Sequence, residues 1–237
     1  MAPYQAANVN YLPMAGNAEA SERAKFIRST YLHLFGAILL LVAIDAAVFA
    51  VLGDRLEGLV NALFSGWTML LFFGGFMVVT VTAESWARSG VSKPVQYMAL
   101  GVYVLAQAIF FVPILYIANA SAPGAISSAG IVTLVVFGGL TLTVFATKAD
   151  FAFLGMFLRV VGFAALGFIV ASFFFGIELG NWFSVAMVIF AAGYILYDTS
   201  NVMHRYRTDQ SVAAALSLFA SVALMFFYIL RLFMGRD

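Results

Sequence analysis

Cysteine is absent from the chain. Disulfides and thiolate metal sites are therefore excluded, and the redox compartment leaves no trace in the sequence. Histidine occurs only as His33 and His204, in different segments, so a zinc-type site is not expected. Charge is scarce too: 10% of the 237 residues are charged and 64% are hydrophobic, whereas a soluble domain is about 25% charged. Too few polar side chains exist to cover a water-facing surface. Lipid must be the solvent for most of the chain. The net charge is only +1 and no basic cluster occurs, which argues against a nucleic-acid partner. A phosphate loop, a nucleophile elbow, a His-Glu-x-x-His helix and a dinucleotide fingerprint are all missing, so neither an enzyme nor a bound cofactor is expected. The first 30 residues lack an apolar region followed by a small-residue cleavage site, so no cleaved signal peptide is expected.

What the chain has is apolar length. A span needs about 20 residues to cross a hydrocarbon core of roughly 30 Å. Seven stretches qualify, near residues 31–52, 59–82, 95–117, 130–147, 154–175, 182–204 and 212–233. The expected fold class is an all-α membrane protein with seven transmembrane helices, in contact with a lipid bilayer. Gly53-Asp54-Arg55 and Ala83-Glu84-Ser85 are read as stopping the first two spans, and Ser92-Lys93-Pro94 as opening the third, with Pro94 suited to a first helical turn. Residues 1–30 are polar, with Pro3, Pro13 and Gly16 among them, and read as a flexible cytoplasmic tail. Its last part, 19–28, suits a short interfacial helix. Residues 31–237 read as one transmembrane domain.

Basic residues divide unevenly between the two sides. With the N-terminus cytoplasmic, one side holds Arg23, Lys25, Arg28, Arg88, Lys93, Lys148, Arg205 and Arg207, and the other Arg55, Arg231 and Arg236. That bias favours an N-terminus in the cytoplasm and a C-terminus on the opposite side of a cell membrane. Tyr11, Tyr31, Trp67, Trp86, Tyr97, Trp182 and Tyr206 fall mostly near span ends, as an aromatic belt does. Phe73-Gly74-Gly75 and Phe137-Gly138-Gly139 echo each other at an offset of 64 residues. The echo reads either as a parallel repeat or, with more support, as glycine pairs that let helices approach closely.

Five residues stand out for chemistry. Asp198 lies in the sixth span, beside Tyr194, Ile195, Leu196 and Tyr197, about 9 Å below the end of its helix. An acid in such company needs a partner, a water-filled cavity or a proton. The alternative is an interfacial acid that reaches water at a frayed helix end. Asp45, deep in the first span, is a second anomaly, read either as functional or as a buried acid bonded to a Ser or Thr of another span. Arg159, inside the fifth span, suits snorkelling to the headgroups, and a salt bridge to Asp198 is the sharper expectation. Ser217 and Ser221 lie one turn apart in the seventh span, which carries no formal charge from Val212 to Leu230.

The segment Ile195-Leu196-Tyr197-Asp198-Thr199-Ser200-Asn201 resembles the Bax inhibitor-1 family, which includes bacterial YccA-like proteins. So do Ala213-Ala214-Ala215-Leu216-Ser217-Leu218-Phe219 and Ile229-Leu230-Arg231-Leu232-Phe233. Two weaker matches are Thr30-Tyr31-Leu32-His33-Leu34-Phe35-Gly36-Ala37 and Thr147-Lys148-Ala149-Asp150-Phe151. The resemblance implies a seven-helix fold with the last helix in the middle of the other six. It also implies a pH-sensitive calcium leak, as in an inner membrane, opened by two acids that share protons across the last two spans. Asp198 matches the first acid. Ser221 stands where the second is usual, so half of the sensor is missing. Two acids in contact titrate as a coupled pair, and replacing one by serine implies a single-step response. It also weakens any calcium site at Asp198, because a hard cation wants several oxygen ligands. Two functions follow from the resemblance: an ion leak carrying calcium or another cation, or a non-transporting regulator of another membrane protein, such as a membrane-bound ATP-dependent protease.

Overall fold

The computed structural model describes residues 13–53, 55–88 and 92–235. The tail reading over residues 1–12, Tyr11 in the aromatic belt, Asp54 in the first break and Arg236 in the charge count lie outside the described residues. Eight helices follow in order: α1 (Ala20–Leu52), α2 (Arg55–Leu63), α3 (Trp67–Arg88), α4 (Lys93–Ser121), α5 (Ala125–Thr147), α6 (Leu154–Phe175), α7 (Asn181–His204) and α8 (Ser211–Met234). All but α2 are long and apolar enough to cross a membrane. The chain alternates direction, so α1 and α8 begin at one face, here the near face, and end at the far face.

The first and second spans depart most from their expected bounds. Gly66, at a φ of 52° in the left-handed region, breaks the expected second span. Leu56 and Val60, four residues apart and both buried, give the short α2 a single apolar face. The span itself begins at Trp67 and passes Glu84 to reach Arg88. A single acid near a helix end does not stop a helix whose last turn lies at the headgroup level. At the near face, α1 begins at Ala20 and runs 33 residues without a break, so the polar residues 20–30 are its first turns and no separate interfacial helix forms.

The residues just before α1 are anchored. The N–H of Ala15 donates to Tyr206 O at 2.8 Å and that of Thr208 to Pro13 O at 3.2 Å, which straps residues 13–15 to the turn between α7 and α8. Arg23 closes the strap from α1 by donating to Gly16 O and Ala18 O. The reading of a flexible tail as far as Thr30 therefore does not hold for this part, because backbone pairing fixes it.

Helix α8 packs against α1, α3, α4, α5 and α7. The expectation of six surrounding helices is corrected in one respect: α6 packs against α7 alone. The α6–α7 seam is where glycine permits close approach. A Cβ on Gly155 would stand 2.7 Å from the Tyr197 ring, and one on Gly193 3.0 Å from Leu158. The paired glycines of the sequence echo do no such thing. Gly74, Gly75, Gly138 and Gly139 all face open space, so close helix approach does not explain them. The aromatic-belt reading holds for Trp67 and Trp182, both exposed at helix starts. It fails for Tyr31, which packs on Phe137 and Phe145, and for Tyr206, whose hydroxyl meets Ser217 Oγ at 2.8 Å.

Candidate functional site

Helix α8 carries two stripes. Ser217, Ala220, Ser221 and Leu224 follow the spacing of one helix face, and so do Phe219, Val222, Ala223 and Phe226. A residue advances the helix by about 100°, so an offset of two residues puts the stripes on opposite sides. Each stripe walls a cavity. The serine stripe faces one of about 570 Å³, shared with Glu84, Tyr103, Arg159, Tyr194, Tyr197 and Asp198 among others. It occupies the gap left because α6 does not reach α8. The phenylalanine stripe faces one of about 460 Å³ that contains Asp45.

Asp198 is buried, with 5% of its surface exposed, and it touches the last helix. Ser221 Oγ lies 2.5 Å from Asp198 Oδ2, and 3.2 Å from Ser217 O within its own helix. The expectation of an acid that escapes to the headgroups fails. The expected salt bridge fails as well: Arg159 Nε donates to Gly155 O at 3.1 Å, and the guanidinium makes no ion pair with Asp198. Arg159 and Asp198 still line the same cavity.

Glu84 in this cavity was missed by the sequence reading, which treated it as a span terminator. A second span started at Trp67, at the aromatic level, would have placed Glu84 inside the helix and brought it forward as a candidate. The lining thus contains two acids and one base, a formal surplus of one negative charge.

Asp45 is not part of this constellation. It lies seven residues before the far end of α1, about 10 Å by helix rise, whereas Asp198 is six residues before the near end of α7. Its exposure is 7%, and its Oδ1 is buried without a hydrogen-bond partner. The expected bond to a Ser or Thr of another span is absent. Thr133, which lines the same cavity, donates its hydroxyl to Ala129 O at 2.7 Å, within its own helix.

At the near face the motif residue Ser200 accepts a hydrogen bond from the Phe151 N–H at 2.9 Å, so segments 147–151 and 195–201 meet. Asp150 pairs with Arg205 at 3.0 Å. The Ala152 N–H and the Arg205 guanidinium hold its exposed carboxyl below the usual carboxylate range. His33 bonds Ser29 O and Tyr97 through its two ring nitrogens, and His204 bonds Ser200 O. Among the described residues, no group of three His, Cys, Asp or Glu could hold a metal ion.

The described residues define a polytopic helical membrane protein with an acid sealed against its last helix. The family model for inhibitors of apoptosis-promoting Bax1 matches residues 23–237. The chain belongs to the Bax inhibitor-1 family. It is similar to an uncharacterized protein of Campylobacter jejuni, at 30% identity over 93% of this chain and 94% of that protein. It is also similar to Protein LIFEGUARD 4 of Arabidopsis thaliana, at 34% identity over 61% of this chain and 59% of that protein. Bax inhibitor 1 of Schizosaccharomyces pombe matches at 32% identity over 43% and 39%. The match thus spans about three-fifths of LIFEGUARD 4 and less of the fission-yeast protein.

Proposed function

We propose that this chain forms an ion-leak pathway across a cell membrane, with its N-terminus cytoplasmic and the Asp198–Ser221 contact as the closure. The observation that carries the reading is the 2.5 Å contact between α7 and α8, set in the wall of a cavity whose acids outnumber its bases. A surplus of negative lining favours a cation as cargo, and the family resemblance points to calcium. Calcium would pass through rather than settle, because a resident ion takes about six to eight oxygens. Arg159 tempers the field, and the tyrosines offer hydroxyls along the wall.

The contact has two hydrogen-bonded forms. With Asp198 ionised, the Ser221 hydroxyl donates to Oδ2. With Asp198 protonated, the acid donates to Ser221 Oγ, and the serine hydrogen turns to Ser217 O, 3.2 Å away. A serine serves both as donor and as acceptor, so α7 and α8 stay joined in either state. Two facing carboxylates would repel each other when both are ionised; this pair never does. The leak is therefore small and only shallowly dependent on pH, with one proton involved at the contact.

Calcium flux from dye-loaded proteoliposomes across a pH series tests this. The expected result is a low flux with a shallow, single-proton profile, changed in size by Asp198→Asn. Glu84→Gln lowers the flux without altering its steepness. Two coupled protonations in the unmodified chain would overturn the mechanism. No flux from any variant at any pH, with a bound membrane protein retained by Asp198→Asn, would favour the non-transporting regulator.

A further inference from the structure

The cavity on the other side of α8 shares no lining residue with the Asp198 cavity, and its chemistry differs. Its walls are hydrocarbon and aromatic, with Phe49, Phe111, Phe219 and Phe226 among them. In that setting stands one acid, Asp45, with a buried oxygen that no group of the protein satisfies. A buried polar group without a partner is costly, and an acid inside a membrane marks a functional site by default.

The occupant follows from what the cavity provides and what it lacks. A hard metal ion needs about six or more oxygen ligands, several of them charged, but Asp45 is the sole carboxylate in the lining, and Thr133 and Asn119 add only neutral side-chain oxygens. A hydrated inorganic ion would meet apolar walls. An organic cation with a large apolar body meets neither obstacle: its charge pairs with the carboxylate, and its body replaces water against the rings, which attract diffuse cations through their faces.

The access route is lateral. Helices α1 and α5 both pack on α8 but not on each other. Single side chains bridge them toward the near face, where the Tyr31 ring packs at a tilt against Phe137 and Phe145. Toward the far face the rim residues Val42 and Leu134 are 58% and 57% exposed. A molecule dissolved in the far half of the bilayer can enter between the two helices without crossing the lipid headgroups again.

We propose that the Asp45 cavity binds a lipophilic organic cation of the quaternary ammonium or phosphonium type, admitted from the bilayer between α1 and α5. The proposal is independent of whether the chain conducts ions. The test is equilibrium binding of radiolabelled tetraphenylphosphonium to the full-length protein in detergent, compared with tetraphenylborate, which has the same shape and the opposite charge. The unmodified chain is expected to retain the cation, saturably, over the anion. Asp45→Asn should weaken cation binding on the order of tenfold, since a desolvated charge pair loses one partner, and should erase the preference over the anion. Gly130 lines this cavity, and a Cβ there would meet no atom within 4 Å. Gly130→Trp therefore adds an indole at the cavity wall, keeps Asp45 in the chain and should weaken binding of both probes. Equal binding of the two probes by the unmodified chain would overturn the proposal. So would undiminished cation binding in Asp45→Asn, or in Gly130→Trp with an unchanged elution volume and melting temperature.

Discussion

The two cavities flanking α8 each contain a buried acid, and the acids are held in opposite ways. Asp198 has a hydroxyl at contact distance on the neighbouring helix and polar company around it. Asp45 has an oxygen with no partner and apolar company. One acid joins two helices, and the other joins nothing. Burial alone therefore does not tell what an intramembrane acid is for. The groups within reach of it do.

The strongest way to break the contrast is to change the partner of the satisfied acid. Ser221→Asp places a second carboxyl against Asp198, and the pair is expected to titrate in two steps separated by about 3 pH units. Flux against pH in proteoliposomes would then become steep, against the shallow profile expected of the unmodified chain. Ser221→Ala leaves Asp198 without its hydroxyl and is expected to cost about 2 kcal/mol, read as a lower melting temperature in detergent. The same measurement on Asp45→Leu should move the other way. Removing an unsatisfied acid from an apolar cavity is expected to stabilise the fold by about 1 kcal/mol, and a loss of stability would mean that Asp45 has a structural partner after all.

The smallest effect belongs to an acid outside both cavities. Asp150 has a lowered carboxyl pKa in the folded chain, so its contribution is present at neutral pH and fades as pH falls from about 4 through the lowered value. The pair with Arg205 is half exposed, and screening limits the effect to a few tenths of a kcal/mol. Asp150→Asn should remove that acid-side loss from a pH series of melting curves and leave the flux profile as it was.

The seven spans were legible because a bilayer imposes length and hydrophobicity on each helix separately. The contact from α7 to α8 was legible through motif residues and the paired serines of the last span. The rest depends on which helices become neighbours. Glu84 joined the site because its helix runs past the charge that was read as its end. Arg159 turned to a carbonyl one turn back, a choice set by the α6–α7 seam. The glycines that bring α6 and α7 together are Gly155, Gly162 and Gly193, single residues, whereas the conspicuous pairs at 74–75 and 138–139 face open space. A local pattern says which residues are small, and only the assembled bundle says where smallness is used.

The position of α8 after the helices it joins also bears on biogenesis. Five earlier helices rest on a segment that leaves the ribosome after all of them. Until residues 211–234 are inserted, α1, α3, α4, α5 and α7 lack their common neighbour, and both acids border an open trench. A chain ending before residue 211 would keep six hydrophobic spans and still have nothing to assemble around. Such a truncation should be cleared by membrane quality control, while a missense change on the rim of α6 should be tolerated.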